Sequence, residues 1–199
     1  MKYYKVDILG DLDNEYCLLE GAPENCGVNY YRMAVGEPMA DYYPANAEFH
    51  MSEESPSIKM GSLIGSTKSF LILHESVVEI IKKFCKEVEI EYLPFILFNL
   101  KGRVHRKDFY IVNPIGTVDC LNHGASKIER FHKEGDPYDG DVIEIDEIVL
   151  DPQKLQNAPA LFRLREDPSI YVIDENLAKT FIQSGFKNII LEDIRQEKG

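Results

Sequence analysis

Asp119, Cys120, Asn122 and His123 place a carboxylate, a thiol and an imidazole within one short stretch of chain. A thiol becomes a nucleophile when a neighbouring base takes its proton and a third group orients that base. A hydrolase-like reading makes Cys120 the nucleophile, His123 the base and Asp119 the orienting group. Catalytic cysteine and histidine more often come from distant segments, so a local trio reads first as structural or surface residues. Asp136, Asp139, Asp141, Glu144, Asp146, Glu147 and Asp151 offer a second chemistry, in which two carboxylates work as acid and base. Their spacing does not reproduce a calcium-binding EF-hand loop, which needs a central glycine and a late bidentate glutamate. Gly61-Ser62-Leu63-Ile64-Gly65-Ser66-Thr67-Lys68 has the composition of a phosphate loop, but three residues separate its glycines where four are needed, and Lys68 comes late. The five histidines, His50, His74, His105, His123 and His132, form no H-E-x-x-H pair. The sequence assigns no catalytic residue, no cofactor and no metal.

The elements that must position these groups are clearest beyond residue 60. Ser69-Phe70-Leu71-Ile72-Leu73 is an apolar run of strand length. Val77, Val78, Ile80, Ile81, Phe84, Cys85 and Val88 then recur at helical spacing, which predicts an amphipathic helix over Glu75 to Glu87. Strands are expected at Phe95–Phe98, Phe109–Val112, Val142–Leu150, Leu161–Leu164, Ile170–Ile173 and Ile189–Leu191, with a single helical turn opened by Asp151-Pro152. Asp174 is a good N-cap for a second helix with Leu177, Ala178, Phe181 and Ile182 on its apolar stripe, and Gly185 suits its end. Ser69 to Glu75 and Ser169 to Glu175 follow the same pattern at an offset of 100 residues. This reads as two similar strand–helix–strand units, or as two ordinary units that happen to align. Residues 1–60, punctuated by Gly and Pro and heavy in tyrosine, read as a loop-rich β subregion. Residues 61–199 form the main α+β (or α/β) domain, with a mixed sheet and flanking helices. The alternative is one compact unit overall.

The chain has 199 residues, 44% of them hydrophobic, which suits a globular protein. Lys and Arg number 22 against 34 Asp and Glu, a formal net charge of −12. That balance argues against nucleic acid or anionic membrane as partner and favours capture of something basic. Cys17, Cys26, Cys85 and Cys120 make no C-x-x-C pair. They read as reduced thiols of a cytoplasmic protein, with a Cys17–Cys26 bridge left open. No apolar run reaches the length of a membrane span, and the N-terminus does not read as a signal peptide.

From Ser69 onward the order and spacing of these blocks resemble a family of bacterial immunity proteins from polymorphic toxin systems, immunity family eleven, formerly a domain of unknown function. The residues concerned are Ser69-Phe70-Leu71-Ile72, Tyr92-Leu93-Pro94, Tyr110-Ile111-Val112-Asn113, Val118-Asp119-Cys120-Leu121-Asn122, Leu161-Phe162-Arg163-Leu164 and Ile170-Tyr171-Val172-Ile173-Asp174-Glu175, with Ser126, Leu177 and Gly185. His74 stands where the family commonly has a capping serine, and Gly185-Phe186-Lys187-Asn188 where it has a Gly-Leu-like pair. The resemblance implies a non-enzymatic antitoxin that binds a cognate toxin protein and blocks it.

Tight pairs of this kind combine electrostatic steering with a few buried aromatic anchors. Candidate anchors are Tyr30, Tyr31, Tyr42 and Tyr43, and candidate steering groups are Asp136, Asp139 and Asp141. Taken singly, each tyrosine reads first as packed on its own core, and each aspartate as part of a solvated turn. The competing functions are the hydrolase-like enzyme and an adaptor or chaperone for a secreted effector.

Overall fold

Side chains that alternate along a strand must serve two different cores, and the central strands of this protein do so. Leu71 and Leu73 enter one buried cluster while Phe70 and Ile72 enter another. Tyr171 and Ile173 join the cluster of Leu71, whereas Val172 lies in a third. Period two therefore writes three cores on the faces of two sheets.

The computed structural model describes residues 1–199, the side chain of Asn14 excepted. In chain order, β1 (Tyr3–Asp7) and β2 (Leu18–Leu19) precede the short helix α1 (Tyr31–Val35), then β3 (Glu48–His50), β4 (Leu63–Ser66) and β5 (Leu71–His74). Helix α2 (Glu75–Phe84) leads to β6 (Ile90–Pro94), β7 (Ile96–Phe98), β8 (Val104–Arg106) and β9 (Phe109–Pro114). The hairpin strands β10 (Lys127–Arg130) and β11 (Val142–Glu147) are followed by β12 (Val149–Leu150), β13 (Leu161–Arg163) and β14 (Tyr171–Asp174). Helix α3 (Glu175–Gln183) and β15 (Ile190–Gln196) close the chain. The fold is mixed α+β but strand-dominated, 34% strand against 15% helix. Its layers are consequently set by sheets, with three short helices as filling. No helix is long and apolar enough to cross a membrane.

One sheet has the order β2-β4-β5-β9-β6 and the other β12-β15-β1-β14-β13. In both, the strands flanking the long helix are not neighbours. β9 is inserted antiparallel between β5 and β6, and β1 antiparallel between β14 and β15. Helices α2 and α3 pack on each other and send Val77, Val78, Ile81, Leu177, Ala178 and Phe181 into the central cluster. Each such fully buried aliphatic or aromatic side chain contributes about 1.5–3 kcal/mol of transfer free energy. A small sheet, β3-β7-β8, covers the far face of the first five-stranded sheet, and the β10–β11 hairpin presses Ile128 and Ile145 against the far face of the second.

Several expected boundaries move. α2 ends at Phe84, so Val88 reaches the central cluster from a turn and not from the helix. Val142–Leu150 divides at Ile148: β11 pairs with β10, whereas β12 runs parallel to β15. Asp151-Pro152 begins a series of turns without a helix. The Gly61–Lys68 segment, whose spacing fails as a phosphate loop, holds strand β4, where a side chain on Gly65 would collide with the Leu9 carbonyl oxygen. Residue 60 marks no break in pairing, since β2 pairs with β4 and β1 lies in the middle of the second sheet.

Arg163 on β13 is fully buried. Its guanidinium donates to the carbonyl oxygens of Met33 (2.6 Å), Ala34 (2.9 Å), Pro114 (3.1 Å) and Pro168 (2.6 Å) and to Asn113 Oδ1 (3.0 Å). It also lies 4.2 Å from the Tyr171 ring centroid. The Met33 and Ala34 carbonyls belong to the last turn of α1, where helix acceptors have no partner of their own and partial negative charge collects. Gly36 ends that helix in the left-handed region at φ 75°, and a side chain there would meet Arg163 at 2.8 Å. Replacing Arg163 by Met should therefore cost at least about 3 kcal/mol, because several buried carbonyls lose their donors together. Urea unfolding of the variant against wild type measures it. By contrast, Asp174→Ala removes only the cap that accepts from Leu177 N–H at 2.8 Å and should cost about 1 kcal/mol.

Candidate functional site

A 3-10 turn, Gly27–Tyr30, runs directly into α1. Met33 points inward and is fully buried. Val28, Tyr31 and Val35, at helical spacing, remain 81%, 46% and 38% exposed. Arg32 lies beside them, its guanidinium 5.9 Å from the Tyr31 ring centroid and 4.6 Å from that of Tyr42, which is also exposed. Glu37 pairs with Arg32 at 3.2 Å and the Pro38 carbonyl accepts from it at 3.3 Å, so the cation is held in place between the two rings. Stacked guanidinium and phenol are well suited to a protein contact: rigid, amphipathic and rich in surface.

The four candidate tyrosines thus divide. Tyr31 and Tyr42 share the exposed stack. Tyr30 and Tyr43 pack on the first core, and the Tyr43 hydroxyl donates to the Pro94 carbonyl at 2.9 Å, with burial pushing its ionisation up. Val28 and Val35 complete the exposed face with the half-buried Arg32 beside them, and none of the three was singled out by the sequence. Their signal was the i, i+3, i+4, i+7 spacing, hidden by the surrounding glycines and prolines.

Asp136, Asp139 and Asp141 lie together on the loop joining β10 to β11. Asp136 accepts from the Tyr138 N–H (3.1 Å) and pairs with Lys133 (3.1 Å), and Asp139 accepts from the Lys133 N–H (3.0 Å). Both shape the loop as well as charging it, while Asp141 is exposed and offers its backbone carbonyl to Phe131 N–H.

The thiol constellation is drawn apart. Cys120 is fully buried in the third core, and burial, reinforced by the Glu166 and Asp119 charges, pushes its thiol up to about 12. His123 Nδ1 meets the Arg130 guanidinium at 2.9 Å. Arginine only donates, so Nδ1 carries the lone pair and Nε2–H donates to Glu166 Oε1 at 3.1 Å. Both ring nitrogens are thereby occupied. Asp119 instead pairs with Lys154 and Arg165, each at 2.8 Å, and the Lys154 hydrogen bond leads in holding its carboxyl below the ordinary range. The arrangement gives Cys120 no base.

All four cysteines are free and buried. Burial raises the Cys17 and Cys85 thiols to about 11. A thiolate is the reactive species, so native protein at pH 8 should react with a disulfide reagent at a small fraction of the rate of the urea-unfolded chain, which should titrate four thiols. A fast-reacting thiol in the folded protein, counted by absorbance, contradicts this placement.

Compared with known proteins, the chain matches no protein-family model and no curated protein sequence.

Proposed function

We propose that this protein is a bacterial immunity protein, an antitoxin that works in the cytoplasm by covering a cognate toxin with its surface. The observation that carries the reading is the pair of exposed rings, Tyr31 and Tyr42, flanking the half-buried Arg32 guanidinium beside the exposed Val28 and Val35, where the last carbonyls of α1 are fixed by Arg163. Tyrosine and arginine dominate the energetics of protein interfaces, and an anchored helix loses little conformational freedom on binding. The net charge of −12 supports the same reading, since a basic toxin surface would be drawn to it. The reading rests also on the resemblance of the blocks from Ser69 onward to immunity family eleven. We further read the segments around α2 and α3 as equivalent strand–helix–strand units, each split by an inserted strand. Such a frame leaves the loops at its ends free to vary for recognition.

The test is protection. Co-expression with the toxin encoded beside this gene should rescue growth, and the purified pair should form a stable complex. Tyr31→Ala with Tyr42→Ala should weaken that complex at least about 30-fold with little change in melting temperature. Promotion of an effector's export without rescue would support an adaptor, and turnover dependent on one of the protein's own side chains would support an enzyme; either overturns the proposal. Asp136→Lys, Asp139→Lys and Asp141→Lys together should slow association and flatten its dependence on salt, measured by stopped flow. An unchanged rate removes that loop from the steering surface.

A further inference from the structure

Glu24, Glu48 and His50 come together although Glu24 and His50 are 26 positions apart in the sequence. Glu24 and Glu48 face each other across an isolated antiparallel bridge, joined by the Glu24 N–H donating to the Glu48 carbonyl at 2.8 Å. His50 lies two residues beyond Glu48 on β3, hence on the same face of the strand. Its Nε2 stands 3.5 Å from a Glu24 carboxylate oxygen and 3.8 Å from a Glu48 carboxylate oxygen. The ring is not free to turn at will, because it stacks on Phe98 with centroids 4.9 Å apart and planes 8° from parallel. Phe98 belongs to β7, the strand that pairs with β3, so two strands hold the imidazole edge toward the carboxylates.

Two carboxylates directly opposite each other on neighbouring strands repel. The nitrogen between them is too distant for a good hydrogen bond to either. The three ligand atoms nevertheless all lie within 4.8 Å of one another. Ligands at about 2.0–2.2 Å from a zinc ion are about 3–4 Å apart, so a modest rotation of the two glutamate side chains closes the set. Among the described residues this is the one cluster of three or more histidine, cysteine or carboxylate ligands with that geometry.

We propose that Glu24, Glu48 and His50 form a binding site for a divalent cation of the zinc type. One imidazole nitrogen and two carboxylate oxygens suit a borderline cation better than calcium or magnesium, which prefer all-oxygen shells. Three protein ligands leave coordination positions open to water or to a side chain from a partner. The site is carried by strands rather than by a loose loop, which favours a defined geometry.

The probe is zinc chloride added to the full chain, followed by isothermal titration calorimetry and thermal unfolding at neutral pH. One equivalent should bind, and saturating zinc should raise the melting temperature, since an ion that binds only the folded state stabilises it. His50→Ala and Glu24→Gln should each weaken binding at least about tenfold and abolish the thermal shift. Both positions are exposed, so the variants should fold, which their circular dichroism spectra and metal-free melting temperatures verify. His132→Ala, in the hairpin loop, should bind like wild type. Absence of zinc binding, binding unchanged in both site variants, or a preference for calcium or magnesium overturns the proposal. Toxin neutralisation is not read in this experiment, so its outcome is independent of the antitoxin reading.

Discussion

A guanidinium buried without a carboxylate in contact is the constraint around which this protein is organised. Arg163 keeps its charge because every acceptor around it is a well-placed amide or carbonyl dipole, one of which, Asn113, also connects it to the Glu91 carboxylate. Asn113 accepts from Arg163 through Oδ1 and donates through Nδ2 to Glu91 at 2.9 Å and to the Glu37 carbonyl at 3.0 Å. Glu91 in turn accepts from the Met39 and Ala40 N–H groups at 2.8–2.9 Å. One side chain from β13 thus fastens α1, the end of β9 and the loop after α1, and a polar network so complete specifies a single arrangement more sharply than apolar packing would. Desolvation tends to lower the basicity of such a group, but arginine remains protonated under any ordinary condition.

This fastening gives the surface its character. The exposed face of α1 is only a turn or so long and would not persist by itself. Its last carbonyls are held from beneath, Met33 plugs the core, and Gly36 turns the chain back toward the sheet. Tyr31, Arg32 and Tyr42 are therefore displayed on a rigid platform. The β10–β11 hairpin is built differently. It makes a two-stranded sheet of its own, braced internally by Arg130 donating to the Gly140 carbonyl at 2.7 Å and held to the second sheet by a few isoleucines and by the Glu147–Arg195 pair at 3.3 Å. On the proposed antitoxin reading, the aromatic face would hold a partner and the charged arm would help to find it.

What could be read from the sequence depended on how far each determinant lay from its partner. α2 and α3 were legible because amphipathic spacing is local, and Asp174 because capping is a local hydrogen bond. His74 performs the same service for α2, accepting from Ser76 N–H through Nδ1 at 3.2 Å while Nε2 faces Asp108. A serine pattern does not reveal a capping imidazole. The division at Ile148 was hidden because the apolar run continues across it, although the residues on either side serve different sheets. Arg163 sits in a strand of otherwise ordinary composition, and acceptors scattered from 5 to 130 residues away in sequence explain why it is buried. The tyrosine segment was legible as composition but not as geometry: nothing local separates Tyr42, which is displayed, from Tyr43, which is anchored to Pro94.

The position of β1 has a consequence for biosynthesis. Residues 3–7 are made well over 150 residues before both of their hydrogen-bonded neighbours, β14 and β15. Throughout synthesis this segment carries two vacant edges and apolar side chains such as Val6 with nowhere to go. The first sheet needs nothing beyond residue 114 for its strand pairing and can assemble while translation continues. The second is closed only after residue 196 emerges, so folding of the nascent polypeptide is split in time between an early and a late half. During that interval β1 is an unpaired strand on both sides, the kind of edge that invites pairing with other chains.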